Sequence, residues 1–126
     1  MKGIVDRVGR AILQIQMRSN KSSPEQTFAV WIDTGFTGDL ALPQATVQEL
    51  GLTPSGTVDG VLADGSQPLL TTCHCEISWF GEFRNLEVIA NTGTTPLLGV
   101  GLLLGKELVI DYTNLTLSLF PKAKIT

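Results

Sequence analysis

Short runs of alternating apolar and polar residues recur along the chain, and glycines or prolines separate most of them. The clearest alternation covers residues 11–17, which predicts a strand with one buried face. Its apolar positions are Ala11, Leu13, Ile15 and Met17. Residues 27–32 are apolar on both faces, a composition typical of a strand that is buried on both sides.

Helical signals are confined to two short segments. Pro43 suits a first helical position, and Gly51 can end that helix in a left-handed conformation. Between them, Val47 and Leu50 lie three positions apart, as one helix face requires. A second short helix is predicted to run to Leu104, after an apolar pair and a glycine.

Turn residues between apolar runs predict three hairpins. Asp64-Gly65 lies between runs at 57–63 and 66–70, and Asp-Gly is a strong hairpin signal. The other two hairpins are centred on Phe80-Gly81-Glu82 and on Thr113-Asn114. Many short strands with two short helices predict an all-β barrel or sandwich.

Composition narrows the possible functions. A chain of 126 residues fits a single domain spanning 1–126, and a hydrophobic fraction of 43% allows a real core. Nine basic against twelve acidic residues give a net charge of −3, which argues against a nucleic-acid surface. No apolar run approaches the roughly 18 residues of a membrane span. The N-terminal residues lack the apolar centre of a signal peptide, so a cytoplasmic location is expected.

The two cysteines flank the only histidine of the chain. In a strand, Cys73 and Cys75 would share one face while His74 points to the other. Because these side chains diverge and no further Cys or His is present, we expect no metal site here. The two residues are interpreted as ordinary strand cysteines.

The segment that carries chemistry follows the apolar strand directly. The strand leads into Asp33-Thr34-Gly35, and a carboxylate at the end of a buried strand is costly unless it is hydrogen-bonded or has a function. Two interpretations are open. Asp33 can cap its own backbone in an Asx-type turn, or it can be a functional carboxylate beside a glycine that admits a ligand.

In its context this triplet resembles that of the retropepsin-like aspartic proteases, in particular the small cellular and bacterial members. Asp33-Thr34-Gly35 follows an apolar strand, and a hairpin tip at Ala63-Asp64-Gly65 lies where such enzymes carry their flap. Leu97-Leu98-Gly99 precedes a short helix and is similar to the second signature of that family. The similarity extends from about residue 11 to residue 120 and implies a retropepsin-like closed β-barrel, with one lobe per chain.

The resemblance implies an aspartic endopeptidase that acts on extended polypeptide without a metal or an organic cofactor. It makes Asp33 the catalytic residue, and since the chain has one such triplet, a homodimer must supply the second carboxylate. The terminal strands are where family members join their subunits, although they can equally be simple edge strands. The residues to which the resemblance gives substrate-binding or site-supporting roles are Thr34, Gly35, Phe36, Val61, Leu62, Ala63, Asp64 and Gly65.

The chain also departs from the family pattern. Viral members carry Ala or Ser and then Asp after the triplet, and Arg after the glycine of the second motif; here these positions are Phe36, Thr37 and Val100. Both partners of an ion pair are therefore missing together, so no buried charge is left alone. The alternatives are a catalytically silent barrel that serves as a dimerisation or peptide-binding module, and a structural barrel that is monomeric.

Overall fold

The computed structural model describes residues 1–60, 64–67 and 69–121, which form ten strands and two short helices. The strands are β1 Lys2–Val5, β2 Ala11–Arg18, β3 Gln26–Ile32, β4 Leu40–Pro43, β5 Pro54–Asp59, β6 Leu69–Trp79, β7 Glu82–Asn91, β8 Leu97–Leu98, β9 Lys106–Asp111 and β10 Thr116–Pro121. The helices are α1 Gln44–Leu50 and α2 Val100–Leu103.

The strands form one sheet that closes on itself. Their order is β5-β6-β7-β4-β8-β3-β2-β1-β10-β9, and an additional pairing of β6 with β2 closes six of them into a barrel. The expected all-β closed barrel is confirmed. Most pairs are antiparallel, but β8 runs parallel to β3 and antiparallel to β4. The short strand β8 is therefore inserted between β3 and β4 at the point where β3 ends.

The inward face of the barrel holds the core. The alternation predicted in β2 is confirmed, since its four apolar inward residues are buried while its glutamines are exposed. Leu13 and Ile15 are each 1% exposed, and Val30 of the neighbouring strand is 0% exposed. Burial of each such side chain contributes roughly 1.5–3 kcal/mol. The barrel is thus held together by side chains from almost every strand.

The prediction that β3 is buried on both faces is wrong. Val30 and Ile32 are buried, but Ala29 is exposed and Trp31 retains 39% of its accessible surface. The outward face of β3 is not covered by a helix of the described chain. It carries apolar residues all the same, and this outward face contains the candidate site described below.

Helix α1 follows β4 directly, and all four residues of β4 are buried. Val47 and Leu50 of the helix belong to the same buried cluster as Leu40 and Leu42. Pro43 is the last residue of β4 and precedes the helix, so its predicted place as the first helical residue is off by one. Gly51 has a φ of 64° and ends the helix in the left-handed conformation, as predicted. None of the described helices is long and apolar enough to cross a membrane.

The predicted hairpins are present, with different loops. Phe80 and Gly81, both at positive φ, form a tight turn because Trp79 pairs with Glu82. Residues 112–115 connect β9 to β10. The pairing of β5 with β6 is described as far as Asp59 and Leu69. Residues 61–63 and 68 of the connection lie outside the described residues, so the tight turn at Asp64-Gly65 stays a prediction.

The terminal strands pair with each other in the same chain. Strand β1 lies between β2 and β10, and Lys2 is the partner of Ser118. The backbone of Met1 also exchanges hydrogen bonds with that of Leu119, both at 2.7 Å. The C-terminal strand that the resemblance assigns to subunit contact covers residues 117–125, and its residues 122–125 lie outside the described residues.

The two cysteines of β6 share one face, as predicted, and that face is turned to the core. Cys73 and Cys75 are each 1% exposed and free of disulfide bonds, whereas His74 points outward and is exposed. Burial raises the pKa of the Cys75 thiol to about 12, and it also raises the pKa of Cys73. Two thiols that stay protonated in an apolar environment are unreactive, so they act as core residues.

Candidate active site

Asp33 is the first residue after β3, at the point where the strand turns away from the barrel. Its backbone N–H donates to the carbonyl of Leu98 at 2.9 Å, which extends the pairing of β3 with β8. Its side-chain Oδ1 accepts a hydrogen bond from the Gly35 N–H at 2.9 Å. Asp33 therefore does form the Asx-type turn, and within the described residues this is the one hydrogen bond that its carboxylate makes.

A second loop supports the Asp33 turn from the side. The Gly99 N–H donates to Asp39 O at 2.9 Å, and the Val100 N–H donates to Phe36 O at 2.8 Å. A third bond joins the Gly101 N–H to Gly38 O at 3.0 Å. These backbone bonds fix the loop after β3 to the start of α2. The two sequence motifs, far apart in the chain, thus meet in one rigid unit.

The glycine of the second motif is required by this close approach. A Cβ on Gly99 would collide with the carbonyl oxygen of Gly38, and it would lie 2.6 Å from Phe36 Cδ2. A Cβ on Gly101 would collide with the carboxylate of Asp39. The Gly38 carbonyl is a backbone group and cannot move aside, so position 99 excludes larger residues, whereas the Asp39 side chain could turn away from position 101.

Phe36 is half-buried and packs on the two loops. Its ring would be 2.6 Å from a Cβ on Gly38 and equally close to one on Gly99, so both glycines leave room for it. The ring thus fills the space between the loop after β3 and the loop before α2. Viral enzymes carry a small residue at this position. In this chain the larger Phe36 side chain is accommodated between the two loops, against Gly38 and Gly99.

The remaining predicted site residues lie on exposed turns. Thr34 and Gly35 are exposed at the tip of the Asp33 turn. Asp64 and Gly65 lie in the β5–β6 connection, where Asp64 Oδ1 accepts bonds from the Ser66 N–H at 2.9 Å and the Ser66 hydroxyl at 2.7 Å. These bonds, the hydroxyl first, hold the pKa of Asp64 below its usual value. Val61, Leu62 and Ala63 lie outside the described residues.

Three residues that the sequence motifs do not mark lie together at the end of β3 that leads into Asp33. Ile12 pairs with Trp31, and Arg10 stands two residues before Ile12, just beyond the end of the described ladder. Arg10 Cζ lies 5.6 Å from the centre of the Trp31 ring, and Arg10 Nε donates to Asp6 Oδ2 at 2.7 Å.

Asp6 holds this arrangement in a turn of its own. Its Oδ1 accepts from the backbone N–H groups of Arg10 at 2.9 Å and Val8 at 3.1 Å. The backbone bond from Arg10, followed by the side-chain bond from the same residue, holds the pKa of Asp6 below its usual value. In the sequence this pair is visible only as an Asp four residues before an Arg. That it lies beside Trp31 follows from the register of β2 and β3, which the sequence does not show.

The described residues contain no group of three or more His, Cys, Asp or Glu side chains placed to hold a metal ion. An open cavity of about 370 Å³ lies at the far end of β4, between residues 43–46 and 91–94. Its lining carries hydroxyl and amide groups but no titratable side chain. This cavity therefore offers no acid–base group of its own.

Comparison with known proteins gives similarity at the level of structure. A retropepsin-like aspartic protease from Rickettsia conorii superposes with a TM-score of 0.64 at 22% sequence identity, over 95% of this chain and 89% of that one. The EIAV protease in an inhibitor complex superposes with a TM-score of 0.61 at 17% identity, over 83% of this chain and 97% of that one. Neither a family model nor a curated protein sequence matches the chain. Together with the closed barrel and its paired loops, these similarities show that the chain has the fold of the retropepsin-like aspartic proteases.

Proposed function

We propose that the chain is a homodimeric aspartic endopeptidase, in which Asp33 of each of two copies forms the catalytic pair. The observation that carries the proposal is the placement of Asp33. It stands on an outward turn that a second loop supports through backbone bonds, in a fold shared with two aspartic proteases. A turn fixed in this way can hold a carboxylate in one orientation toward a substrate.

The single Asp-Thr-Gly of the sequence makes a dimer necessary for this chemistry. Two carboxylates held close together share one proton, because like charges at short distance cannot both ionise. The ionised member takes a proton from a water molecule, which attacks the scissile carbonyl. The protonated member donates to the developing oxyanion, and the pair then supplies a proton to the leaving amine.

The exposed residues around Asp33 receive roles in the same proposal. The Thr34 hydroxyl would bond to the partner copy beneath the carboxylates, and Gly35 would offer its backbone to an extended substrate. Phe36 would support the site by fixing the loop pair. The connection between β5 and β6, with Val61, Leu62, Ala63, Asp64 and Gly65, would cover the substrate and bind its main chain like an added strand.

The test compares wild type with Asp33→Asn on a diverse peptide mixture, with cleavage read by mass spectrometry from mildly acidic to neutral pH. Asn keeps the size of Asp and an oxygen that can accept from Gly35, but it cannot ionise. We expect the cleavage rate to fall about 10³-fold or more, since a general base contributes up to about 10⁴-fold.

Asp111→Asn is the matched control. Asp111 is the last residue of β9 and also accepts hydrogen bonds from its own turn, far from Asp33 in the sequence. We expect this variant to cleave at the wild-type rate. Equal cleavage by wild type and Asp33→Asn would remove Asp33 from the mechanism, and a folded wild-type dimer that cleaves nothing would contradict the proposed activity.

A further inference from the structure

Strand β9 is one of the two edges of the sheet. The strand order ends at β5 on one side and at β9 on the other, so within the described residues each of these strands pairs with one neighbour. An edge strand presents unpaired N–H and C=O groups to which a further strand can add, and proteins commonly protect such edges with proline or with bulges. The two edges of this chain can be compared by whether they carry this protection.

The β5 edge is protected, whereas the β9 edge is regular. Strand β5 begins at Pro54, and its pairing with β6 shifts register between Pro54 and Gly56. Strand β9 pairs with β10 at six consecutive positions, from Lys106 to Asp111, and contains neither proline nor glycine. Its Val109 is 46% exposed. Strand β9 is therefore the edge to which another strand can add without distortion.

The hydrogen bonds of β10 show which backbone groups of β9 face the open edge. The N–H and the C=O of Leu119 are both bonded to Met1 at 2.7 Å, on the β1 side. Leu119 therefore directs neither group to β9, and its partner Leu108 directs its own N–H and C=O to the open edge. Because these directions alternate along a strand, Lys106 and Ile110 do the same.

The open edge is connected to the Asp33 turn by a short segment. The Val100 N–H donates to Phe36 O at 2.8 Å, which holds the start of α2 against this turn. From Val100 the chain reaches Lys106 through the four residues of α2 and two further residues, a span of at most about 15 Å. A two-fold axis through β9 would therefore pass near Asp33 of both copies, as a pair of catalytic carboxylates requires.

Two-fold symmetry limits how β9 can pair with a second copy of itself. Facing residues of an antiparallel pair lie on the same side of the sheet, so their positions differ by an even number. A pairing centred on Glu107 opposes two glutamates, and one centred on Val109 places Glu107 opposite Asp111 of the partner subunit. A pairing centred on Leu108 joins residues 106–110 of both copies and places no like charges directly opposite each other, which favours it.

We propose that two copies of the chain join edge to edge through β9, with Leu108 on the two-fold axis. Strands β1, β10 and β9 of both copies then form one continuous antiparallel sheet, which also covers the half-buried Leu108 and Ile110. The inference names the surface by which the two copies meet, so it rests on the proposed function. It differs from joining through the terminal strands, because β1 and β10 already pair within one chain.

The experiment measures the dimer in the absence of substrate. Sedimentation gives the dissociation constant of wild type, of Val109→Glu and of Glu107→Lys/Val109→Glu. Both positions are exposed in the single chain, and thermal unfolding shows that each variant is folded. Val109→Glu places two glutamates opposite each other on both sides of the axis, and we expect the dissociation constant to rise about tenfold. In the double variant a lysine faces each new glutamate, so the constant should return to within about threefold of wild type.

Ile4→Glu is the matched control for Val109→Glu. Ile4 is 57% exposed on β1, a strand with a neighbour on both sides, so the same charge is added outside the proposed interface. We expect its dissociation constant to equal that of wild type.

Disulfide cross-linking tests the register. Glu107→Cys mixed with Val109→Cys should cross-link two copies under a mild oxidant, because facing residues of this kind lie about 4.5 Å apart between their Cα atoms. Val109→Cys alone should not cross-link, since its counterpart lies diagonally at about 7–8 Å. The native Cys73 and Cys75 are buried and do not compete.

A wild-type chain that sediments as a monomer at every concentration would overturn the β9 interface. A dissociation constant that Val109→Glu raises no more than Ile4→Glu would do the same, as would cross-linking of Val109→Cys alone. Cleavage by the same proteins tests the proposed function separately. A β9 dimer that cleaves nothing would keep the interface and remove the protease, whereas cleavage by a dimer that is insensitive to Val109→Glu would keep the protease and remove this interface.

Discussion

Asp33 and Asp111 occupy similar turns at two distant places in the molecule. Asp33 directly follows β3 and Asp111 is the last residue of β9. Each side chain accepts a hydrogen bond from the backbone N–H two residues later, at 2.9 Å in both cases. Asp111 also accepts from the Asn114 N–H at 3.0 Å and from Asn114 Nδ2 at 2.7 Å. All of these bonds lie within the hairpin that connects β9 to β10.

The difference between the two turns lies in what surrounds them. The Asp111 carboxylate is satisfied by its own turn, and these bonds hold its pKa below the usual value. The Asp33 carboxylate makes one such bond, yet its turn is tied to a second loop by backbone bonds from Gly99 and Val100. Hydrogen bonds within its own turn therefore account for the position of the Asp111 carboxylate. They do not account for the backbone bonds by which a second loop supports the Asp33 turn.

The largest loss of stability and activity is expected when the contact between Gly99 and the loop after β3 is disturbed, because in the described part of the chain the Asp111 turn has no such contact with a second loop. Gly99→Ala places a methyl group against the carbonyl of Gly38 and the ring of Phe36. Overpacking of this kind typically costs about 1–3 kcal/mol, and separation of the two loops should also abolish cleavage. Urea unfolding and the peptide assay measure the two effects.

Gly56→Ala is the matched control for Gly99→Ala. The nearest atom to its new Cβ is Thr72 Oγ1 at 3.7 Å, an ordinary contact, and its backbone is extended in β5. We expect its free energy of unfolding to stay within about 0.5 kcal/mol of wild type. If Gly99→Ala were as stable and active as Gly56→Ala, the loop pair would not be what holds Asp33 in position.

The smallest change in stability is expected from a substitution of Asp111. A lowered pKa means that the ionised form stabilises the fold above the pKa of the unfolded chain, and that this stability is lost as the pH falls through the folded pKa. Asp111→Asn cannot ionise, so it should unfold at a slightly lower temperature than wild type at pH 7. The difference should shrink as the pH falls from 7 to values below the usual aspartate pKa of about 3.9. Thermal unfolding at both pH values checks this, and a difference that grows on acidification would contradict it.

Much of the fold could be predicted from local patterns. The alternation in β2, the left-handed cap at Gly51 and the turn at Phe80-Gly81 each follow from residues close together in the sequence. The apolar outward face of β3 could not be predicted correctly. An apolar residue that packs in a core and one that lines an exposed face, such as Trp31, have the same appearance in a sequence.

The candidate site was predictable at Asp33 and not at its neighbours. The motif marks Asp33, Thr34 and Gly35 directly. Arg10 is brought to Trp31, at the end of β3, only through the register of β2 and β3, which depends on the connecting turns and on the inward alternation of both strands. Similarly, the packing of Phe36 between the two loops depends on the approach of the loop before α2, which local sequence does not reveal.

The measurement that tests the central claim most directly is a mixing experiment. Wild-type protein is equilibrated with increasing amounts of Asp33→Asn at constant total concentration, and Asp111→Asn replaces it in the control series. If each active site needs one Asp33 from each of two copies, total activity should fall with the square of the wild-type fraction, because mixed dimers hold only one carboxylate. The control series should keep full activity throughout. Activity that falls in direct proportion to the wild-type fraction would show that one chain suffices and would contradict the paired mechanism.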